Sequence, residues 1–261
     1  MRLIRKGTAG KANTIIMAFQ TLTGIVLRYT DYRDNDRILS VLTRENGLVS
    51  VTARGVRAKG KTVSSNVKDA YCYGEFIVYE RNGIDCVSSS TIIEAFYPIR
   101  EDYDKLLAAA QIVRIAEKLA SNRPNDELFS MLYHAFSFLA YGNAQPADLV
   151  LCFAAKFLAL AGYAPVLTNC SCCGKPVTSE KLIPFSFKSG GSLCTDCASD
   201  QPTYSALALE AFRRMMRLED KDMDKVRLPE SARTELNKLI FDYAEYVLEQ
   251  PIRLKNPKHV Q

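Results

Sequence analysis

Histidine is nearly absent from this chain of 261 residues. The two that occur are His134, beside the apolar stripe of a predicted helix, and His259, near the C-terminus. Neither has a visible serine or cysteine partner for general acid–base chemistry. The sequence also lacks a glycine-rich phosphate loop and the nucleophile elbow of the hydrolases. These absences argue against an enzyme.

Long hydrophobic runs are missing too. The longest, residues 149–161, is interrupted by Lys156 and is shorter than the ~20 apolar residues that span a bilayer. Residues 15–19 are apolar after a basic start, but they are too short for the core of a secretory signal. We therefore expect a cytoplasmic protein whose thiols stay reduced.

Charge of one sign is in excess only at the N-terminus. The formal net charge is +5, and residues 1–18 carry four basic side chains and no acidic one. Residues 99–261 hold 20 side chains of each sign, so a nucleic-acid surface on the folded body must be a local patch. We interpret residues 1–18 as a disordered basic tail or as a stretch upstream of a natural start at Met17.

Cysteine, in contrast, is abundant and forms two C-x-x-C pairs. Cys170 and Cys173 are the first pair, Cys194 and Cys197 the second, and twenty residues separate the pairs. This spacing predicts one structural zinc held by four thiolates, with no open position for catalysis. Two disulfides, a redox role and loss of the metal are the alternatives.

Two residues beside the first pair have predicted roles as well. Gly174 is expected to let the backbone fold close under the sulfurs, where a Cβ would crowd. Cys172 is interpreted as a free neighbouring thiol. An adjacent cysteine pair cannot reach around one metal as a C-x-x-C pair does.

Residues 20–96 have a β pattern. Alternating and β-branched runs predict five strands, over residues 22–29, 37–43, 48–54, 71–81 and 84–96. Asn46-Gly47 and Asn82-Gly83 predict tight turns between neighbouring strands. Five short strands with a long third connection predict a small closed barrel, with the OB-fold as first candidate and an SH3-like barrel as its rival.

From Glu101 onward the apolar spacing is helical. The run at residues 149–161 is apolar on nearly all sides, which predicts the central helix of a bundle. The fold class is therefore α+β. We assign the barrel to residues 19–98, the helical domain to 99–250 with a zinc segment at 166–200, and a tail to 251–261.

The polar loop over residues 55–69 is the best candidate for a functional surface. It and its flanks carry cations and no acid before Asp69, and with Arg37 they form the predicted DNA-binding set: Arg54, Arg57, Lys59, Lys61, Lys68 and Arg37. Such side chains neutralise phosphates and release counterions. The alternative is a solvated loop.

Five aromatic residues of the barrel could stack on unpaired bases, although a core position is the commoner role for each: Tyr29, Tyr32, Tyr71, Tyr73 and Phe76.

Two groups of charged residues are given structural interpretations. The acidic residues at 31, 34 and 36 lack the glycine and distal glutamate of an EF-hand, so we interpret them as a solvated turn. The arginines at 213, 214 and 217 are expected to pair with acids on their own helix, with a protein or DNA contact as the alternative.

Several segments, taken in order, match one known pattern. They run from the first strand to the second cysteine pair, at residues 23–27, 32–38, 53–57, 153–158, 162–165, 170–174, 185–186, 190–191 and 194–197. In these segments the sequence resembles the bacterial recombination mediator family RecO, whose Y-G-E-x-D-x-I and A-x-G-x-R stretches correspond to the second and third. Arg33 and Asp34 depart from the pattern, standing where the family usually has Gly and Glu.

The resemblance implies an OB-fold, a helical domain and a structural Zn²⁺ in members that keep four cysteines. It implies a nucleoid-associated protein without nucleotide hydrolysis that binds single- and double-stranded DNA and anneals complementary strands. It also implies that RecO, with RecR, helps RecA onto strands coated by single-strand-binding protein, whose C-terminal tail the helical domain grips. A zinc-stabilised interaction adaptor and an OB-fold RNA-binding factor are the alternatives.

Overall fold

The computed structural model describes residues 19–58, 69–177 and 181–254, and its first element is a closed barrel. The five strands are β1 (Phe19–Tyr32), β2 (Asp36–Thr43), β3 (Gly47–Ala53), β4 (Tyr73–Arg81) and β5 (Ile84–Glu94). Neighbours around the barrel follow the order β1-β2-β3-β5-β4, and β4 closes it against β1. Only β3 and β5 pair in parallel. This arrangement confirms the predicted OB-like barrel.

Strand β1 bends and pairs with two neighbouring strands. Its first half pairs with β4 and its second half with β2, with an irregularity between Val26 and Arg28. Gly24 lies where the two pairings overlap, and a Cβ there would lie 2.6 Å from the Leu42 carbonyl oxygen. The β4–β5 hairpin turns at Asn82 and Gly83, whose φ angles are +55° and +74°. Two successive positive φ angles are typical of the type I′ turn that an Asn-Gly pair predicts.

The helical part follows the barrel directly. Its helices are α1 (Pro98–Glu101), α2 (Tyr103–Ala116), α3 (Asp126–Tyr141), α4 (Pro146–Leu160), α5 (Ala206–Arg217) and α6 (Glu230–Leu248), with a 3₁₀ helix at Asp220–Lys225 between the last two. Helix α4 packs against α2, α3, α5 and α6, as its apolar pattern predicts. Ser205 caps α5 by accepting a hydrogen bond from the backbone N–H of Ala208.

The barrel and the helices share one core. Tyr71 and Phe96 meet the ring of Phe136 edge-on, with centroids 5.4 and 5.8 Å apart. At the β2–β3 turn, Leu48 donates its backbone N–H to the Ser121 carbonyl at 2.6 Å. A Cβ on Gly47, whose φ is +66°, would lie 2.2 Å from the carbonyl oxygen of Arg123. This end of the barrel is therefore covered by the helices.

A small sheet lies between α4 and α5. It consists of β6 (Leu182–Ser186), β7 (Gly191–Ser192) and β8 (Thr203–Ser205), in the order β7-β6-β8. At the other end of the described chain, Ile252 is buried and donates its backbone N–H to Glu245, so the first residues beyond 250 pack against the helical domain. Within the described ranges, no helix combines the length and apolar character needed to cross a membrane.

Candidate metal centre and basic barrel mouth

The four predicted metal ligands meet in space. The Sγ atoms of Cys170, Cys173, Cys194 and Cys197 all lie within 4.8 Å of one another, and those of Cys173 and Cys194 are 3.6 Å apart. In a tetrahedral site with zinc–sulfur bonds of about 2.3 Å, neighbouring sulfurs are about 3.8 Å apart. A disulfide needs about 2.05 Å, and all four cysteines are free. The cluster fits one tetrahedral metal and not two disulfides.

Tight turns aim the two sulfurs of each pair. In the first turn, Gly174 donates its backbone N–H to the Cys170 carbonyl at 2.9 Å, and in the second Ala198 donates to the Cys194 carbonyl at 3.0 Å. Gly174 has a φ of +77°, but open space surrounds the position of a Cβ. Our expectation that a Cβ would crowd the sulfurs was therefore wrong. The glycine is needed for its left-handed backbone.

The thiols of the cluster differ in how readily they ionise. Burial raises the pKa of the Cys170 thiol. Hydrogen bonds from the backbone N–H groups of Cys194, Cys173 and Cys172 outweigh this effect and lower the pKa to about 6. The pKa of the Cys197 thiol is raised by hydrogen bonds with the Cys173 thiol and then the Cys194 thiol, and by burial. A divalent metal would supply the charge that lets all four thiols ionise, and an all-sulfur tetrahedron is the donor set of zinc and of iron–sulfur sites.

The segment that carries the four cysteines packs against α6. Phe185 is fully buried, and its ring meets Tyr243 of α6 edge-on with centroids 5.5 Å apart. A Cβ on Gly191 would lie 2.4 Å from the Val166 carbonyl oxygen, so these two segments of the chain are in contact there. A metal bound at the cysteines would hold this segment against α6, which is a structural role. Cys172 is exposed beside the cluster.

The predicted DNA-binding residues that the structure describes lie at the end of the barrel away from the helices. The β2–β3 turn touches the helices, so the antiparallel register places the β1–β2 turn and the exit of β3 at the far end. The β4–β5 hairpin joins them there, because Thr52 near the end of β3 pairs with Cys86 near the start of β5. We call residues 33–35, 54–58 and 82–83 the barrel mouth.

Three of the six predicted DNA-binding residues lie at or beside this mouth within the described ranges. Arg54 is exposed and makes no hydrogen bond or ion pair with another described residue. The guanidinium groups of Arg57 and Arg37 both bind the Asp31 carboxylate, at 3.0 and 2.8 Å. Lys59, Lys61 and Lys68 lie outside the described residues. The DNA-binding role of all six stays a prediction.

Three of the five candidate stacking residues are used for packing. Phe76 is fully buried in the barrel, Tyr71 contacts Phe136, and the ring centroid of Tyr73 lies 5.5 Å from that of Tyr133. Tyr29 lies beneath the Arg37 guanidinium, 3.9 Å from its ring centroid. Tyr32 is 42% exposed and remains a candidate for stacking on a base.

Sequence reasoning missed the role of the acidic turn. Asp31 binds two arginines, and Asp36 accepts the backbone N–H of Gly55 at 2.8 Å. The hydrogen bond from Arg37 holds the pKa of Asp31 below its usual value. Among the described residues, only the cysteines have the spacing of a metal site. The symmetric spacing of Asp31 and Arg37 about the β1–β2 turn is the signal that could have revealed their pairing.

His134 does have a serine neighbour, contrary to our expectation. Its Nδ1 atom lies 3.4 Å from Ser130 Oγ and 2.9 Å from the Ser130 carbonyl oxygen. The hydroxyl hydrogen, however, is donated to Asp220 at 2.8 Å. A nucleophilic serine instead presents its hydrogen to the histidine that removes it.

Zinc loss is the direct test of the metal centre. Cys194→Ser should reduce the zinc content from about one per chain to nearly none and lower the Tm by about 5–10 °C, because a ligand of a structural site is lost. Metal analysis and thermal unfolding would measure both. The matched control, Cys172→Ser, should keep both values. Full zinc content and an unchanged Tm in Cys194→Ser would contradict the assignment.

Comparison with known proteins agrees with this architecture. The model of the Recombination protein O N terminal domain matches residues 17–96, and that of the Recombination protein O C terminal domain matches residues 100–256. The DNA repair protein RecO of Desulforamulus reducens is 34% identical over 241 residues, 91% of this chain and 93% of its own. The RecO proteins of Rubrobacter xylanophilus, 34% identical over 186 residues (71% of this chain, 74% of its own), and Bifidobacterium adolescentis, 31% identical over 236 residues (88% and 95%), are similar as well. The chain therefore belongs to the RecO family of DNA repair proteins.

Proposed function

We propose that the barrel mouth binds the phosphates of single- and double-stranded DNA and that the protein anneals complementary strands without chemical turnover. The observation that carries the proposal is the exposed, unpaired Arg54 at the exit of β3. There the chain leaves an OB-like barrel and continues into the stretch that holds Lys59, Lys61 and Lys68. OB-folds commonly bind oligonucleotides through loops at one end of the barrel.

Annealing explains why a cationic loop is useful. Two strands repel each other through their phosphates, and a dense set of lysine and arginine side chains lowers that repulsion while releasing counterions. Such contacts carry no sequence preference, because they touch the backbone and not the base edges. A mediator that acts on any damaged strand needs this kind of binding.

The helical domain offers a surface for a protein partner. Helix α5, the 3₁₀ helix and the start of α6 enclose a groove of about 380 Å³ whose apolar lining includes Leu207, Met215 and Val226. Arg214, with 76% of its side chain exposed, lies at the rim with Arg227. We place the C-terminal tail of single-strand-binding protein in this groove, since an apolar floor with a basic rim suits an acidic segment with an apolar anchor.

The predicted pairing within α5 is confirmed for Arg213 and Arg214, whereas Arg217 makes no ion pair with a described residue. Glu210 binds Arg213 and Arg214 at 2.6 and 2.7 Å. These hydrogen bonds, from Arg213 first and then Arg214, lower the pKa of Glu210 to about 2. The pairing shares one carboxylate between two guanidinium groups, so the helix surface keeps a net positive charge. RecR and RecA are further expected partners, to which we assign no surface of the described residues.

Two other functions would share this architecture. An OB-fold RNA-binding factor would prefer RNA over single-stranded DNA in direct competition, because it would read the 2′-hydroxyl. An interaction adaptor would bind the tail peptide but would not anneal naked strands. The family of DNA repair proteins to which the chain belongs favours DNA.

Arg54→Ala tests the DNA site. The variant should bind a single-stranded oligonucleotide severalfold more weakly, and the slope of log K against log salt should become shallower by about 0.7, the loss of one phosphate contact. Fluorescence anisotropy over a series of salt concentrations measures both. Arg54→Lys keeps the charge and should retain the slope. An unchanged slope in Arg54→Ala would rule out this contact.

Arg214→Glu tests the groove. We expect the variant to bind a tail peptide of single-strand-binding protein at least fivefold more weakly, because the rim charge is reversed, while it anneals naked DNA normally. Lys238→Glu makes the same charge change at an exposed α6 position outside the groove and should bind the peptide like the wild type. Equal peptide binding by both variants would place the tail elsewhere.

A further inference from the structure

We propose that Asp31 and Arg57 form a clamp that positions the start of the basic loop for DNA, so that Arg57 and Arg37 act as positioning residues and not as phosphate ligands. The inference rests on the DNA-binding function proposed above and refines it. Of the three predicted DNA-binding residues that the structure describes, it leaves Arg54 as the phosphate ligand. We call Asp31, Arg37 and Arg57 the Asp31 clamp.

The guanidinium of Arg57 is already occupied by the β1–β2 turn. Nη1 donates to an Asp31 carboxylate oxygen at 3.0 Å, and Nη2 donates to the carbonyl oxygens of Arg33 and Asp34, each at 2.8 Å. A guanidinium has five N–H donors, and both on Nη2 are used here. A two-pronged contact with a phosphate through both terminal nitrogens would have to break these hydrogen bonds.

The backbone of the same segment is tied to the same turn. Asp36 accepts the N–H of Gly55 at 2.8 Å, and the Asn35 carbonyl accepts the N–H of Arg57 at 3.1 Å. Between them, Val56 is 6% exposed and packs in the barrel core. Backbone and side chain thus hold residues 55–57 against the barrel, and this anchored segment sets the direction in which the loop leaves.

Asp31 connects the two arginines of the clamp. One carboxylate oxygen accepts from Arg37 Nε at 2.8 Å, and the other accepts from Arg57. Arg37 in turn covers the Tyr29 ring, with 16% of its side chain exposed. A half-buried arginine already paired with a carboxylate is a poor phosphate ligand, and that carboxylate would repel a phosphate. The side chains of this cluster therefore suit positioning better than phosphate binding.

Removing the charge of Asp31 distinguishes the two roles, because each role predicts an opposite change in DNA affinity. If Arg37 and Arg57 bind phosphates, Asp31→Asn raises the local positive charge and should tighten DNA binding. If they position the loop, the same change loosens residues 54–58 and should weaken binding by about three- to tenfold, the loss of one charge-assisted hydrogen bond. The full-length protein and a single-stranded oligonucleotide suffice for the measurement.

Arg57→Lys provides the second variant. Lysine keeps the charge but lacks the planar fork that reaches three acceptors. The clamp predicts the same loss as in Asp31→Asn, and a double variant no weaker than either single one, because both changes break one unit. Arg28→Lys is the matched control, because Arg28 is also an ion-paired barrel arginine but binds Glu117 of the helical domain at 2.6 Å. This variant should bind DNA within about twofold of the wild type.

Amide hydrogen exchange of residues 54–58 gives a readout that does not depend on DNA. Exchange should be faster in Asp31→Asn and Arg57→Lys, at an unchanged Tm, and unaltered in Arg28→Lys. Tighter or equal DNA binding by Asp31→Asn, or unchanged exchange in both clamp variants, would overturn the proposal. A wild-type protein that does not bind DNA would instead refute the proposed function, while the exchange rates would still test the clamp.

Discussion

The packing of the barrel onto the helices determines which surfaces the protein can use. Arg100 lies at this junction and donates to the carbonyl oxygens of Ala70 and Ala95, both at 2.9 Å. Beside it, the rings of Tyr71 and Phe96 pack on Phe136. Because this core runs unbroken from β1 into α3 and α4, one end of the barrel is closed to ligands. The barrel mouth lies at the other end, with Arg54 and Arg57 of the candidate DNA-binding set.

The cysteine cluster and the barrel mouth have different tasks. The cysteines bring two turns together and hold the small sheet against α6 through Phe185 and Tyr243. A site filled by four thiolates has no position for a substrate. The barrel mouth, in contrast, combines an exposed arginine with an anchored loop. A metal at the cysteines would thus support the helical domain, whereas we propose that DNA contacts the barrel.

Much of this arrangement could be predicted from local signals. The Asn-Gly turns and the alternation of apolar residues placed all five strands to within a few residues, and the two C-x-x-C pairs predicted the sulfur cluster. What failed depended on contacts between distant segments. Tyr71 and Tyr73 were candidates for stacking because their partners, Phe136 and Tyr133, lie on a helix about sixty residues further along. Asp31 was assigned to a solvated turn because its bond to Arg57 depends on how β3 leaves the barrel.

The central claim is that DNA meets the protein at the barrel mouth and not at the metal centre. Hydrogen exchange of the full-length protein, with and without a saturating single-stranded oligonucleotide, tests it most directly. The account predicts slower exchange at residues 33–37 and 54–58 on binding, and no change at 170–177 or 191–197. Protection of the cysteine turns without protection of the mouth would contradict it.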